Sequence, residues 1–329
     1  MSHLIDVPEG VVVKPSSDMS LPFTVTAHNI NQSMQNWCIE NIAWIDICLE
    51  KYGAVLFRNF SLGEDGQEFS AISTLICGEL LPYVYRSTPR TSVGANVYTA
   101  TEYSRTAIIP QHNENAYTRN WPMRLAFHCV QAASQGGETP LSSNRAVTSK
   151  ISPKILEKFR RLGVMYVRNY SKGLDLPWNV VFQTESRDEV ERFCNEASIA
   201  FEWADGDRLT TRQVCQGTAH HPRTGEELWF NQAHLFHASS LDPATFEAMM
   251  EIYSVEELPR HAFYGDGTEI ESGVLEEIRT AFDSEKRLFS WHANDVLLID
   301  NMAVAHGRLP FQGPRRVLVA MGGKYNPPQ

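Results

Sequence analysis

The stretch that decides the fold lies near the end of the chain and reads Trp291-His-Ala-Asn-Asp-Val-Leu-Leu-Ile-Asp300-Asn-Met-Ala-Val-Ala-His306-Gly-Arg-Leu-Pro-Phe-Gln-Gly-Pro-Arg315-Arg-Val-Leu-Val-Ala-Met321. An apolar run over residues 296–299 predicts a strand, and a second apolar run follows a Gly/Pro turn and the arginine pair. Two strands joined by a loop would place His306 at the exit of one strand and an arginine at the entrance of the next. Such an arrangement can hold a metal beside an anion.

The N-terminal quarter, about residues 1–95, is predicted to form a helix-strand-helix cap. Residues 34–49 carry apolar side chains at a helical period, and residues 54–60 form a short apolar run typical of a strand. Ser61 and Glu64 have the spacing of a capping box ahead of a second helical pattern.

From residue 97 onward the pattern changes to short β-like runs separated by turns, with a helical insertion over about residues 150–207. Regular alternation of strands and helices is absent, which disfavours a doubly wound parallel sheet. The sequence therefore predicts a mainly β fold with helical additions, a β-sandwich or jelly roll. No linker-like segment interrupts residues 1–329, so a single domain is expected.

Composition excludes several classes of partner. The chain of 329 residues has 29 Lys and Arg against 39 Asp and Glu, and this net charge of −10 argues against nucleic acid or an anionic membrane surface. The six cysteines form no CxxC pair, which is typical of reduced core residues in a cytoplasmic protein. We expect neither a signal peptide nor a membrane span.

The sharpest local motif is His112-Asn-Glu114. In a strand, side chains two residues apart share a face, so His112 and Glu114 could occupy adjacent positions on one metal. The motif alone is weak, since 11 histidines in a chain with acids at about 12% of positions give roughly one such pair by chance. A distant histidine such as His306 would complete a 2-His-1-carboxylate triad, which leaves three positions open on Fe(II). A 2-oxo acid can occupy two of these positions, with an arginine and the Thr139 hydroxyl on its far carboxylate.

Taken together and in this order, five stretches resemble the TauD/TfdA superfamily of Fe(II)/2-oxoglutarate-dependent dioxygenases, closest to its clavaminate-synthase-like and SyrP-like branch. They are residues 111–117, 127–141, 229–234, 265–267 and 297–321. The resemblance implies a double-stranded β-helix core, which is a cupin-like jelly roll. It also implies Fe(II) as metal, with 2-oxoglutarate and O2 as co-substrates.

Carried over by position, this resemblance implies a metal centre formed by His112, Glu114 and His306. It also implies that Thr139 and Arg316, the second arginine of the pair, bind 2-oxoglutarate. Only one of the two arginines can face the interior of the barrel, because strand side chains alternate. Members that act on taurine carry a substrate-binding arginine four positions further on, where this chain has Ala320, so a sulfonate substrate is not expected.

Glu114 also bears on the type of reaction. Halogenating members replace this acid with a small residue, so its presence favours hydroxylation or desaturation. The resemblance implies an amino-acid-type substrate of secondary metabolism, free or carried on a peptidyl carrier protein. Two alternatives stay open: an iron enzyme of the cupin kind that does not use 2-oxoglutarate, and a non-catalytic jelly-roll binding protein.

Further polar residues are candidates for substrate contacts or for a second site. Arg308, two residues after the metal histidine, could bind an anionic group of the substrate, although Arg86, Arg90 and Arg308 could equally be surface charges. Four histidines could form a second metal site, with the alternative that they flank a hairpin or the pocket wall; they are His220, His221, His234 and His237. The weaker candidates for lining the substrate pocket are Asn115, Tyr117 and Asn231.

Overall fold

The structure is a computed structural model that describes residues 6–14, 21–63, 66–83, 85, 90–100, 103–170 and 176–327. In these ranges the helices are α1 (Met34–Tyr52), α2 (Gln67–Cys77), α3 (Asn144–Lys150), α4 (Pro153–Leu162), α5 (Trp178–Phe182), α6 (Arg187–Glu196), α7 (Ala233–Phe236), α8 (Pro243–Met250) and α9 (Ser272–Ser284), with 3-10 turns at Ala238–Ser240 and Val255–Glu257. None of the helices in these ranges combines the length and apolar composition needed to cross a bilayer.

The strands occur in runs between these helices. They are β1 (Val11–Val13), β2 (Phe23–Ala27), β3 (Ala54–Arg58), β4 (Ser92–Gly94), β5 (Val97–Thr99), β6 (Ile109–His112), β7 (Trp121–Gln131), β8 (Gln135–Gly136), β9 (Thr139–Ser143), β10 (Val164–Tyr170), β11 (Ala200–Ala204), β12 (Arg208–Cys215), β13 (Thr218–His220), β14 (Glu227–Trp229), β15 (Arg260–Tyr264), β16 (Arg287–Phe289), β17 (Val296–Asp300), β18 (Val304–Arg308), β19 (Phe311–Gln312) and β20 (Arg316–Tyr325).

Two sheets form the core of the molecule. The larger has the strand order β1-β2-β3-β17-β7-β20-β5-β4, and the smaller has the order β16-β9-β18-β6. Between them lies a continuous apolar cluster in which Leu125 and Val319 of the larger sheet meet Leu141 and Val304 of the smaller. The predicted mainly β, jelly-roll architecture is confirmed.

Helices α1 and α2 cover the other face of the larger sheet. Trp37 and Ile72 on these helices pack in one cluster with Leu298 and Leu318 of the sheet. Ser33 caps α1, and Gly53 ends it in the left-handed conformation with φ 76°. The predicted helix, strand and helix are present, and β3 pairs with β17, so the strand of this region belongs to the larger sheet. The predicted capping residue Glu64 lies outside the described residues.

A third sheet, in the order β11-β12-β10-β15, stands beside the jelly roll. The region predicted as a helical insertion, about residues 150–207, contains β10 and β11 as well as α4, α5 and α6. Its strands pair with β12 and β15, which lie further along the chain. The insertion therefore contains strands as well as helices, and their pairing over long sequence separation is not visible in local periodicity.

The C-terminal stretch contains two strands more than predicted, β18 and the short β19. Asp300 ends β17 in the larger sheet, and the chain then crosses to the smaller sheet, where it forms β18. His306 lies inside β18 and not at the exit of β17, with His112 of β6 as its cross-strand partner. The crossing therefore brings two histidines that are distant in sequence onto neighbouring strands.

Candidate metal centre

The three predicted metal ligands meet between the sheets. One ligand atom each of His112, Glu114 and His306 lies within 4.8 Å of the other two, and the imidazole centroids are 4.5 Å apart. We call these three residues the inner triad. Their donor set, two imidazole nitrogens and one carboxylate, is the set that non-haem Fe(II) oxygenases use.

The protonation of the inner triad fits a divalent metal. Nδ1–H of His112 donates to the Pro110 carbonyl at 2.9 Å, which leaves the Nε2 lone pair available as a ligand. Nδ1 of His306 is buried without a hydrogen-bond partner in the described part of the chain. Burial lowers the pKa of both imidazoles, and for His306 the neighbouring His112 and Arg90 lower the pKa further. Both rings are therefore neutral at physiological pH, as ligation requires.

Glu114 forms a buried ion pair that the sequence did not indicate. Its Oε2 accepts a hydrogen bond from Nη2 of Arg90 at 2.6 Å, and both side chains are 3% exposed. The Arg90 guanidinium also lies over the Tyr83 ring, 4.3 Å from its centroid. The alternative that Arg90 is a surface charge is therefore wrong, because its side chain is buried. The ion pair has no signal in the sequence, since Arg90 and Glu114 lie 24 positions apart and only the fold brings them together.

A set of buried amides holds the two halves of the inner triad together. Asn301 accepts from the backbone N–H of Glu114 at 2.8 Å and donates to the Glu114 carbonyl at 2.9 Å. Asn113 donates to the carbonyls of Asn301 and Val304, at 2.6 and 3.1 Å. Asn144 in turn donates to Asn113 Oδ1 at 3.0 Å. Because amides do not titrate, this network fixes the ligand-bearing segments at any ordinary pH.

A cavity beside the inner triad has the chemistry of an anion site. It is lined by His112, His306, Thr139, Arg90, Arg308 and Arg315, together with apolar side chains. Thr139 is buried, and its hydroxyl oxygen accepts from Nε1 of Trp291 at 3.0 Å. Since the Thr139 oxygen already accepts a hydrogen bond from the indole, its hydroxyl proton points to another acceptor.

The structure corrects the choice between the two adjacent arginines. Arg315 lines the cavity, whereas Arg316 is exposed at the start of β20. Burial lowers the pKa of Arg315 to about 10, and the nearby charge of Arg308 contributes. One arginine of the pair does face inward, as strand alternation requires, and it is Arg315 instead of Arg316.

The packing of β20 explains why Arg315, and not Arg316, faces inward. Val317 and Val319 face the space between the sheets, on the same side as Arg315. Leu318 and Ala320 face the helices on the outer side of the larger sheet. In sequence both sets are apolar, because this strand is buried on both faces, so alternation alone could not identify the inner one.

Arg308 is occupied by backbone carbonyls. Its guanidinium donates to the carbonyls of Tyr103, Ser104 and Ala107, at 3.1, 2.6 and 2.9 Å. The side chain lies 6% exposed beside the cavity and holds the 103–107 loop against β18. The structure thus gives Arg308 a structural role, and binding of a substrate anion by this residue stays a prediction.

The three weaker candidates lie in different places. Asn115, with φ 56°, lines a groove together with Trp121. Tyr117 is buried in the core and donates to the Tyr85 carbonyl at 3.1 Å. Asn231 donates to the Gly217 carbonyl at 2.6 Å and accepts from the backbone N–H of residue 233 at 2.9 Å. Tyr117 and Asn231 therefore serve packing and backbone hydrogen bonding.

The predicted second histidine site is not formed by the four residues considered. His234 stacks on Phe282 with centroids 4.8 Å apart, and burial lowers its pKa to about 3. His221 bonds Asp300 at 2.9 Å, and His220 ends β13 of the predicted hairpin. The positions of these three histidines therefore match the alternative in which they flank the hairpin or the pocket wall.

His237 belongs to another group, with His261 and Glu269, whose ligand atoms also lie within 4.8 Å of one another. We call this group the outer triad. Backbone N–H groups donate to Nδ1 of both imidazoles, from residue 239 to His237 and from residue 238 to His261, each at 3.1 Å. In the neutral rings the proton is therefore on Nε2, and both Nε2–H groups point at Glu269, at 2.8 and 3.2 Å. In the outer triad, the Glu269 carboxylate therefore accepts a hydrogen bond from the Nε2–H group of each imidazole.

Comparisons with known proteins agree with this geometry. Residues 20–321 match the family described as "Taurine catabolism dioxygenase TauD, TfdA family". The chain is 43% identical over 277 residues to the dapdiamide synthesis protein DdaC of Enterobacter agglomerans, which covers 84% of each chain. It is 29% identical over 289 residues to a clavaminate synthase-like protein of Arabidopsis thaliana, again over 84% of each chain.

Among solved structures, PvcB from Pseudomonas aeruginosa superposes with a TM-score of 0.55. The two share 17% identity, and the match covers 97% of this chain and 93% of PvcB. A second structure of PvcB describes it as an Fe, α-ketoglutarate-dependent oxygenase from an isonitrile synthetic pathway. At this identity the likeness concerns the fold, which the two proteins share over almost their whole length.

Proposed function

The chain belongs to the TauD/TfdA family of dioxygenases, and from this premise we propose that it is an Fe(II)- and 2-oxoglutarate-dependent oxygenase in which the inner triad holds the metal. The observation that carries the proposal is the meeting of His112, Glu114 and His306 beside a cavity lined by Arg315 and Thr139. Fe(II), 2-oxoglutarate and O2, the cofactor and co-substrates expected from the sequence, are those of this family. When bound, they supply the oxidation of an unactivated C–H bond, with release of succinate and CO2.

Each residue of the site has a distinct task in this proposal. His112 Nε2, His306 and Glu114 would hold the metal, and the cavity lies beside these three ligands. Arg315 and the Thr139 hydroxyl bind the far carboxylate of 2-oxoglutarate. A guanidinium offers two parallel N–H donors that match a carboxylate, and burial strengthens the pairing. Trp291, by donating to Thr139, orients the hydroxyl toward the ligand.

The apolar walls of the cavity exclude water from the reacting groups. Phe127 packs on the His306 ring, with centroids 5.1 Å apart, and Val317 lies beside Arg315 on the inner face of β20. Exclusion of water strengthens the contacts of the charged side chains with the co-substrate. The residues position both reactants, and the metal supplies the oxidation.

We propose an amino acid or amino-acid derivative of secondary metabolism as substrate, free or carried on a peptidyl carrier protein. Supporting this class, the names of DdaC and PvcB place both proteins in biosynthesis. With Arg315 as the inward arginine, the position four residues on becomes Val319 instead of Ala320, and both are buried and apolar. Neither could bind a sulfonate. Glu114 at the position that halogenating members leave small favours hydroxylation or desaturation.

The first experiment separates this proposal from its alternatives. Fe(II) and 2-oxoglutarate are added anaerobically, and the visible absorption is recorded; a charge-transfer band is expected, because the oxo acid chelates the iron. An iron enzyme that does not use 2-oxoglutarate would bind iron without this band. A non-catalytic jelly-roll protein would release no succinate with any candidate substrate.

The second experiment narrows the substrate. Succinate release is measured with a panel of amino acids, each offered free and as the thioester on a peptidyl carrier protein. Release that exceeds the substrate-free rate with only one of the two forms assigns the mode of presentation. Equal release with every compound, no higher than without any, would contradict an amino-acid-type substrate.

A further inference from the structure

The ion pair between Arg90 and Glu114 has a fixed geometry. Arg90 donates through Nη2 to Oε2 of Glu114, and Nη1 lies 3.9 Å from the Met321 sulfur. The Tyr83 ring covers one face of the guanidinium. Because both charged side chains are 3% exposed, the pair cannot exchange freely with water. One oxygen of the triad carboxylate is therefore already bound before a metal arrives.

The number of carboxylate oxygens on the metal decides what else the metal can bind. Two histidines and one carboxylate oxygen leave three of six positions open on Fe(II). A 2-oxo acid fills two of them, and O2 needs the third. Carboxylates also bind metals through both oxygens. If Glu114 did so, only two positions would remain, and the oxo acid would leave no position for O2.

We propose that Arg90 is a positioning residue that keeps Glu114 a one-oxygen ligand: it holds Oε2 and leaves Oε1 to the metal. The inference rests on the proposed function of the inner triad and adds a residue to it. Partners that hydrogen-bond a metal-bound carboxylate orient it in the same way in other metal sites.

Electrostatics separates this role from simple tightening of metal binding. A guanidinium close to a divalent cation repels it, and the repulsion is large in a buried site. Removal of the Arg90 charge should therefore leave the affinity for the metal unchanged or higher. The predicted loss concerns the open positions and, through them, the binding of 2-oxoglutarate.

The test counts water molecules on Mn(II), which replaces Fe(II) in such sites and is stable in air. The EPR line of Mn(II) broadens in water enriched in ¹⁷O in proportion to the number of bound waters. The wild-type protein should show three waters, and Arg90→Met should show two, because Glu114 is then free to bind through both oxygens. The Mn(II) affinity of Arg90→Met should equal or exceed that of the wild type, while its affinity for 2-oxoglutarate falls by about tenfold or more.

Two controls identify the cause. Arg90→Lys keeps a cationic N–H donor for Oε2 and should retain three waters. Arg308→Met removes another buried arginine beside the cavity that bonds carbonyls and not Glu114, so it should also retain three waters. Two waters in Arg308→Met would overturn the inference, since the loss of positive charge alone would then change the count.

The wild-type measurement is decisive even if Arg90→Met does not fold. Two waters on Mn(II) in the wild type would show that Glu114 binds through both oxygens despite Arg90, and would overturn the inference while the proposed function stands. Three waters in both wild type and Arg90→Met would also overturn it. No binding of Mn(II) or Fe(II) to the wild type would remove the proposed function together with the inference.

Discussion

Two groups of two histidines and one glutamate lie in the described part of this protein, and by distance alone they are equivalent. In both, the three ligand atoms lie within 4.8 Å of one another. They differ in what contacts the far ring nitrogen. In the inner triad, His112 donates its Nδ1–H to a carbonyl, so Nε2 has a lone pair. In the outer triad, backbone N–H groups donate to both Nδ1 atoms, so both Nε2 atoms carry protons.

The carboxylates differ in the same sense. Glu114 is buried and forms an ion pair with Arg90. The Glu269 side chain is 55% exposed and accepts hydrogen bonds from both imidazoles. A metal at the outer triad would have to displace two protons and break two backbone hydrogen bonds. The hydrogen bonds around a ligand set, more than the ligand types or their separation, decide whether it suits a metal.

Removal of one ligand of the inner triad is expected to have the largest effect on metal binding. Glu114→Ala or His306→Ala should weaken Mn(II) and Fe(II) binding by more than about 100-fold and abolish succinate release, since even partners outside the coordination sphere contribute 10–100-fold. The matched variant His261→Ala should bind one metal per chain as the wild type does. Stoichiometry and affinity follow from calorimetric titration. A second metal per wild-type chain that disappears in His261→Ala would make the two triads equivalent after all.

The arginine pair bears on the inner triad, because Arg315 lines the cavity beside it. Arg315→Gln should weaken 2-oxoglutarate binding on the order of 100-fold, as expected when one partner of a buried charge pair is truncated. Arg316→Gln, which changes an exposed neighbour, should bind 2-oxoglutarate like the wild type. The charge-transfer band, titrated anaerobically with 2-oxoglutarate, measures both. The reverse order of effects would return the role to Arg316.

The amide network holds the inner triad in place, and because amides do not titrate, this placement does not change with pH. Asn301→Ala removes three hydrogen bonds, two to the Glu114 backbone and one to the Pro122 carbonyl. We expect the Mn(II) affinity to fall about tenfold. Asn231→Ala, also a buried amide with backbone partners, should lower the free energy of unfolding by about 1–3 kcal/mol and leave the Mn(II) affinity unchanged. Equal loss of Mn(II) affinity in both variants would indicate general destabilisation.

The smallest expected effect concerns protons at the outer triad. Burial holds the pKa of His237 and His261 below the usual value, about 6.5. As the pH falls below about 6.5, the unfolded chain therefore takes up more protons at these positions than the native one. Their contribution to stability is present above this pH and is lost as the pH falls. His261→Asn should show a smaller decrease in the urea midpoint between pH 7 and pH 5 than the wild type. A decrease equal to that of the wild type would contradict the assignment.

Much of the fold and of the site could be predicted from the sequence. The 3.6-residue period of residues 34–49 identified α1, and the apolar run after Asp295 identified β17. The motif order indicated the family, which the comparisons confirm, and with it the jelly roll. The three triad residues were also chosen from sequence, and the structure brings them together, while their role as ligands stays a prediction.

Other features depended on pairings that have no local signature. β18 is a five-residue strand that follows a tight turn, and the residues before it have the sequence pattern of a loop. The third sheet joins strands from residues 164 to 264, and their pairing has no signature in the local sequence. Arg90 had no sequence signal beyond its charge.

The available chemistry can be identified from the sequence alone: a histidine and an acid two residues apart, a distant histidine, a threonine and an arginine pair, in an order typical of one family. Covalent spacing and strand alternation are enough for that, because they are local. Only the tertiary structure decided that Arg315 faces inward, that Arg90 binds Glu114, and that one of two similar triads has a lone pair to offer. Those outcomes depend on which backbone N–H and C=O groups the fold places around each side chain.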